Sequence, residues 1–299
     1  MRIGYPCINR SLDCIASSTF RLDSYSEEKL KETVEGNLDC LERMIEYNIE
    51  NEMFFLRITS DLIPFASHDV CDFDWQDHFS KRFREIGEKF MDHNFRVTMH
   101  PGQYTVLNSE KEDVFRRSLE DLKYHRDVLD AMKLGPSSKI NIHVGGVYGN
   151  KQKSKERFVE RYRELDERIK RRLVIENDEK SYTVQDCLDV HEKTGVPVTL
   201  DNLHHSINNS GISLQEAMDL VSGTWNKEDD IPIVHYSSQL PDESSGRHAE
   251  EIDIDDFLDF FEKTKQHDFD LILEIKDKEK SVLRIIDILR EDSRFQHVD

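Results

Sequence analysis

The chain has 299 residues, with 41 Lys and Arg against 61 Asp and Glu, for a formal charge of −20. With 37% hydrophobic and 34% charged residues it reads as a water-soluble globular protein, and no apolar run approaches the ~18–20 residues of a membrane helix. Membrane spanning is therefore excluded, unfocused negative charge argues against a polyanionic partner, and the start MRIGYPCINR, without an apolar stretch behind a basic end, leads us to expect a cytoplasmic protein.

Eight short β-branched or aromatic runs are predicted strands: Arg2–Pro6, Phe54–Ser60, Arg96–Pro101, Lys139–Val144, Leu173–Asn177, Val198–Asn202, Ile233–Ser237 and Leu271–Lys276. The intervening segments Glu27–Glu50, Trp75–His93, Val114–Met132, Arg157–Lys170, Tyr182–Lys193, Leu214–Val221, Asp255–Gln266 and Val282–Leu289 carry apolar residues at helical spacing. Strand alternating with helix implies parallel pairing through crossover helices, and eight such units point to a closed (β/α)8 TIM barrel, one domain over residues 1–299. An open doubly wound sheet is the alternative, but Gly4-Tyr5-Pro6-Cys7 offers no Gly-rich phosphate turn. The two longest irregular stretches, Cys7–Ser26 and Ser238–Asp253, follow strands 1 and 7 and so belong to the catalytic end of such a barrel. Five cysteines at scattered spacings, without Cys-x-x-Cys, predict neither a disulfide framework nor a cysteine zinc site.

The strand ends carry the chemistry. Strands 3 to 8 finish in His100, His143, Glu176, Asp201, His235 and Glu274, and His68, His204 and His248 lie just beyond strand ends. One such residue usually satisfies a backbone carbonyl or a salt bridge. Nine at one rim are different, because an apolar strand such as Leu-Ile-Leu-Glu must offset the desolvation of its carboxylate, and buried charges are paired or metal-bound. Imidazoles around carboxylates able to bridge suit a multinuclear Mn²⁺, Zn²⁺ or Fe²⁺ cluster.

Four strings, His100-Pro101-Gly102-Gln103-Tyr104, Ile175-Glu176-Asn177-Asp178-Glu179, Asp201-Asn202-Leu203-His204-His205 and Glu274-Ile275-Lys276-Asp277-Lys278-Glu279, occur in order along the chain. Together with Ala66-Ser67-His68, Ile142-His143-Val144-Gly145 and Val234-His235-Tyr236-Ser237-Ser238-Gln239, they resemble the UV damage endonucleases over residues 2 to about 290. The resemblance implies a TIM barrel related to endonuclease IV and xylose isomerase, with two to three divalent ions. Mn²⁺ is favoured, with Zn, Mg and Co as alternatives. It implies incision of double-stranded DNA immediately 5′ of cyclobutane dimers and 6-4 photoproducts, leaving a 3′-hydroxyl and a 5′-phosphate.

Carried over by residue, the resemblance makes His100, His143 and Glu176 ligands of one ion with His68 nearby, places Glu176, Asp201, His235 and Glu274 around a second, and gives His204 and His248 to a third. Some members carry a carboxylated Lys where this chain has Ile233, which puts the third ion in question. Gln103 and Tyr104 are expected to probe the gap opposite the lesion, and Tyr5 and Asn9 to line the lesion pocket. Glu176 is expected to bridge ions in catalysis, and Lys276, two residues past Glu274, to share its strand face and contact the scissile phosphate. The protein is expected to act as a monomer on UV-damaged DNA, with no membrane partner. An abasic-site endonuclease, a sugar isomerase and a metal-dependent sensor without turnover are the competing readings of the same rim. The total charge does not exclude DNA, because Lys151–Arg172 holds ten Lys and Arg against five acids, whereas Trp225–Glu262 holds twelve acids against two bases.

Overall fold

In a computed structural model that describes residues 1–296, strand alternates with helix around a closed ring. The strands are β1 (Ile3–Pro6), β2 (Phe55–Ile58), β3 (Arg96–Met99), β4 (Lys139–His143), β5 (Leu173–Glu176), β6 (Val198–Asp201), β7 (Ile233–Tyr236) and β8 (Asp270–Leu273). They pair in parallel in sequence order, and β8 closes on β1 through Ile3↔Leu271 and Gly4↔Ile272. The helices are α1 (Glu27–Glu50), α2 (Trp75–His78), α3 (Ser80–Asp92), α4 (Glu112–Ala131), α5 (Lys151–Glu164), α6 (Glu167–Lys170), α7 (Val184–Thr194), α8 (Asn202–Ile207), α9 (Leu214–Ser222), α10 (Ile254–Lys263) and α11 (Glu279–Leu289). This is the TIM barrel that the strand count predicts. Among the described residues, no helix is long and apolar enough to cross a membrane.

Local chemistry explains the boundaries. The Ser26 hydroxyl accepts from Lys29 N to start α1, and Thr183 and Asp186 cap each other reciprocally at α7, which ends on left-handed Gly195. Two segments expected as single helices are each broken in two, at Phe79 between α2 and α3 and at the extended Leu165 before α6. The short α8 lies outside the predicted helices. It begins where Asp201, at the end of β6, accepts from His204 N. On β1, a side chain on Gly4 would meet Phe55 O at 1.5 Å, so only glycine allows these strands to pair.

A further correction concerns cysteine. Cys14, in the loop after β1, is disulfide-bonded to Cys40 of α1, with Cα atoms 5.7 Å apart. Spacing along the chain could not reveal the pair, because packing of the loop on the helix brings the two together.

Alternation puts every second strand residue inside the barrel. Its floor is ionic: Arg2 pairs with Asp270 and Asp230, each at 2.5 Å, Arg96 reaches Asp230 at 3.1 Å, and Lys139 pairs with Asp229. Above it lies a buried band of Thr98, Asn141, Val174, Thr199, Ile233 and Ile272, none more than 2% exposed. Ile233 packs there against Phe55 and Ile272, two positions below His235. The larger apolar core fills the space between sheet and helices. A tightly buried band of mixed aliphatic and small polar side chains thus lies directly under the polar rim.

Candidate metal centre

The next inward residue up each strand brings the rim together. His143 and Glu176 are register partners on β4 and β5, and His143 Nε2 stands 2.8 Å from Glu176 Oε1. His100, the first residue beyond β3, points its Nε2 at the same oxygen from 2.9 Å. The other oxygen, Oε2, faces His235 Nδ1 at 2.6 Å. Two groups of donors with every ligand atom within 4.8 Å result, His100–His143–Glu176 and Glu176–Asp201–His235, sharing the one carboxylate.

The electrostatics follow from burial and neighbours. Burial works to raise the Glu176 carboxyl, but His143, His235 and His100 overcome it and hold it well below the usual carboxylate range. For His143 burial disfavours the charged ring, yet Glu176 prevails and lifts it to about 9. Asp201 is instead pushed up, mainly by burial. Glu176 Oε2 is buried and has no hydrogen bond despite its close imidazole, and His143 Nδ1 is similarly orphaned. A buried polar atom without a partner is costly, and this mixed N/O donor set is one that a divalent cation satisfies. The residues fit a metal.

A model of the family described as UV-endonuclease UvdE matches residues 1–299. The chain belongs to that family. UvdE-family relatives include the UV DNA damage endonucleases of Clostridium perfringens (strain 13 / Type A), 40% identical over 97% of this chain and 71% of the relative, and of Bacillus cereus (strain G9842), 35% identical over 97% and 94%. The crystal structure of SacUVDE superposes with a TM-score of 0.94 at 45% identity, covering 97% of this chain and 98% of that one. Endonuclease IV from Thermus thermophilus, with a TM-score of 0.58 at 14% identity over 85% of this chain and 95% of that one, shares the barrel fold.

Around this UvdE-family centre the remaining expected residues take different positions. His204 lies 3.6 Å from Asp201 and 3.7 Å from Glu179, and His248 lies 3.9 Å from Glu274, whose backbone carbonyl it meets at 2.6 Å. The rings of His143, His204 and His248 follow one another at 6.1 and 6.4 Å, so they line one side of the rim. His68 is exposed, its Nδ1 accepting from Val70 N, and it joins neither donor group.

Three expected features take positions other than the sequence suggests. Tyr5 is fully buried, donating to Asn48 and accepting from Asn9, which is 2% exposed, so this pair packs the loop after β1 instead of lining an open pocket. Lys276 does not continue a strand face, because β8 ends at Leu273, and its ammonium is held by Glu250 at 2.6 Å. The basic run is mostly neutralised: Lys151 and Lys155 pair with Asp186, Arg157 with Glu110, Arg161 with Glu112 and Arg172 with Asp130. Gln103 and Tyr104 do project, with Tyr104 82% exposed, beside a cavity of ≈ 410 Å³ bounded by His100, His143, Tyr148 and Lys180.

Two functional residues escaped the sequence reading. Arg57 on β2 enters the centre, where its guanidinium lies 2.6 Å from Glu274 and donates to His235 Nε2 at 2.9 Å. Burial notwithstanding, Arg57 and His235 hold the Glu274 carboxyl well below its ordinary value. A lone arginine at an inward position of Phe-Leu-Arg-Ile was the available signal. Glu279, fully buried, accepts from Arg10 N at 2.9 Å and from the Ser11 hydroxyl at 2.8 Å, so the end of the EIKDKE string anchors the loop after β1.

Proposed function

We propose that this chain is a metal-dependent DNA repair endonuclease, one catalytic unit over its length, that hydrolyses the phosphodiester immediately 5′ of cyclobutane dimers and 6-4 photoproducts and leaves a 3′-hydroxyl and a 5′-phosphate. The observation that carries the reading is the pair of donor groups sharing Glu176, set at the foot of the loop that exposes Gln103 and Tyr104. His100, His143 and Glu176 would hold one ion and Glu176, Asp201, His235 and Glu274 a second, with Mn²⁺ favoured; His204 and His248 would serve a third. Bound divalent ions supply a hydroxide near neutral pH and charge stabilisation at the leaving oxygen.

The chain's own residues do the rest. Glu176, locked between three imidazoles, keeps the two groups at a set separation. Burial of Glu176, Asp201 and His235 strengthens the charge interactions among them. A UV lesion pairs poorly, so extruding it costs less than extruding normal bases. Tyr104 can stack in the resulting gap, and the Gln103 amide can satisfy the orphaned base edges.

Incision of UV-irradiated plasmid with Mn²⁺, run beside an abasic-site oligonucleotide and a ketose/aldose pair, tests the reading. Nicking of irradiated DNA is expected. Isomerase activity without nicking would overturn it, preferred cutting at the abasic site would move the substrate class, and metal-dependent DNA binding without cutting would make the protein a sensor.

A further inference from the structure

We propose that Arg57 is a built-in cation that sets the order of metal loading, the His100–His143–Glu176 group filling first and the Asp201–His235–Glu274 side second and more weakly. The inference rests on the reading above that the centre binds divalent ions.

Besides their donor sets, the two sides of the centre differ in how they stand to Arg57. His100 and His143 both turn Nε2 to Glu176 Oε1, and Arg57 pairs with neither of them. On the other side, the guanidinium already engages Glu274 Oε1 at 2.6 Å and His235 Nε2 at 2.9 Å. Those two are its side-chain partners among the described residues. A guanidinium offers donors only and stays charged, so one carboxylate oxygen and one imidazole lone pair are committed before any ion arrives. Arg57 cannot step aside into solvent easily. Its side chain is 7% exposed, and its Cα is in register with Pro6 on one flank and Thr98 on the other. Placing a divalent ion there sets it beside a fixed positive charge among largely buried groups, where Coulomb repulsion is weakly screened. Arg57 makes no hydrogen bond or ion pair to any side chain of the first group.

Stepwise Mn²⁺ titration of the full chain, followed by electron paramagnetic resonance, tests the order. The wild type should show two affinity classes at least about tenfold apart, with an isolated-ion spectrum at one equivalent and a coupled-pair spectrum only above it. His143→Ala should remove the tight class and Asp201→Asn the weak one. Arg57→Gln should narrow the gap and give coupled pairs below one equivalent, while Arg57→Lys, which keeps the charge, should preserve the gap. Equal affinities in the wild type, an unchanged gap in folded Arg57→Gln, or loss of the tight class in Asp201→Asn would each overturn the proposal. Should Arg57→Gln fail to fold, the His143 and Asp201 variants still decide the order. A wild type that binds no Mn²⁺ at all would instead overturn the metal reading, a result distinct from reversed order.

Discussion

His143 and Glu176 are cross-strand partners, and their side chains meet at 2.8 Å on the inside of the barrel, where Glu176 also serves the second donor group. A shared carboxylate makes the two groups interdependent. Glu176→Gln should therefore lower both bound divalent ion and incision of irradiated DNA by at least about 100-fold, while His143→Gln should deplete one group first. Elemental analysis of purified variants checks this, and a fully loaded, active Glu176→Gln protein would exclude the bridging role.

Tyr104 is 82% exposed and Gln103 stands beside it, so neither supports the core. The double change to alanine should leave thermal stability and metal content unaltered. It should weaken binding to a lesion-bearing duplex by about 1–3 kcal/mol, the worth of one base–aromatic stack, with little effect on undamaged duplex. Unchanged lesion affinity would remove the probe assignment.

The paired state of the basic α5 bears on DNA affinity. Of the ten cations between Lys151 and Arg172, only Lys153, Arg163 and Arg171 lack a carboxylate partner among the described residues. Metal-free protein, with Glu176, Asp201 and Glu274 uncompensated by ions, should bind duplex DNA more weakly than metal-loaded protein, and the loaded form should lose affinity steeply as salt rises. Filter binding with and without Mn²⁺ measures it; equal affinities would show that the rim charge does not govern association.

Lys139 links stability to pH at the barrel floor. Burial pushes its ammonium down to about 8 from 10.5, against the pull of Asp229. Below both values the folded and unfolded chains each hold the proton, and the penalty is complete. Between them the unfolded chain keeps a proton that the folded chain releases, so this site's contribution to stability rises with pH, by up to about 3 kcal/mol. Urea unfolding of wild type and Lys139→Met from about pH 7.5 to about 9.5 should show their difference shifting toward the wild type as pH rises. A flat difference would mean that the lysine is not depressed.

The Cys14–Cys40 bridge ties the loop after β1 to α1, leaving Cys7, Cys71 and Cys187 free. Thiol labelling of the denatured, unreduced chain should count three groups, and five after reduction. Cys14→Ser should cost about 3 kcal/mol of stability by freeing the loop it closes. Five thiols without reduction would show that the bridge does not form.

Much of the architecture was legible before folding. Eight β-branched runs separated by helical periodicity predict the barrel because each pattern has its own period and parallel strands need crossover helices. The rim was legible for a related reason: a carboxylate ending an apolar strand, as in Leu173–Glu176, cannot be buried without compensation. Helix breaks at Phe79 and Leu165 were not legible, since a few residues of altered backbone leave the apolar spacing nearly intact. Nor was the burial of Tyr5 and Asn9, which bond to each other while Tyr5 donates to Asn48 of α1, more than forty residues further along the chain.

Composition and pattern alone thus determined the fold class and the ring of histidines and acids at the strand ends. Which of them meet was decided by tertiary structure: that one carboxylate of β5 serves imidazoles from the β3, β4 and β7 ends, that Arg57 already occupies the Glu274 side, that Lys276 turns to Glu250. The reason is geometric. Separation across a closed barrel depends on strand register and stagger, and neither is written in the distance between residues along the chain.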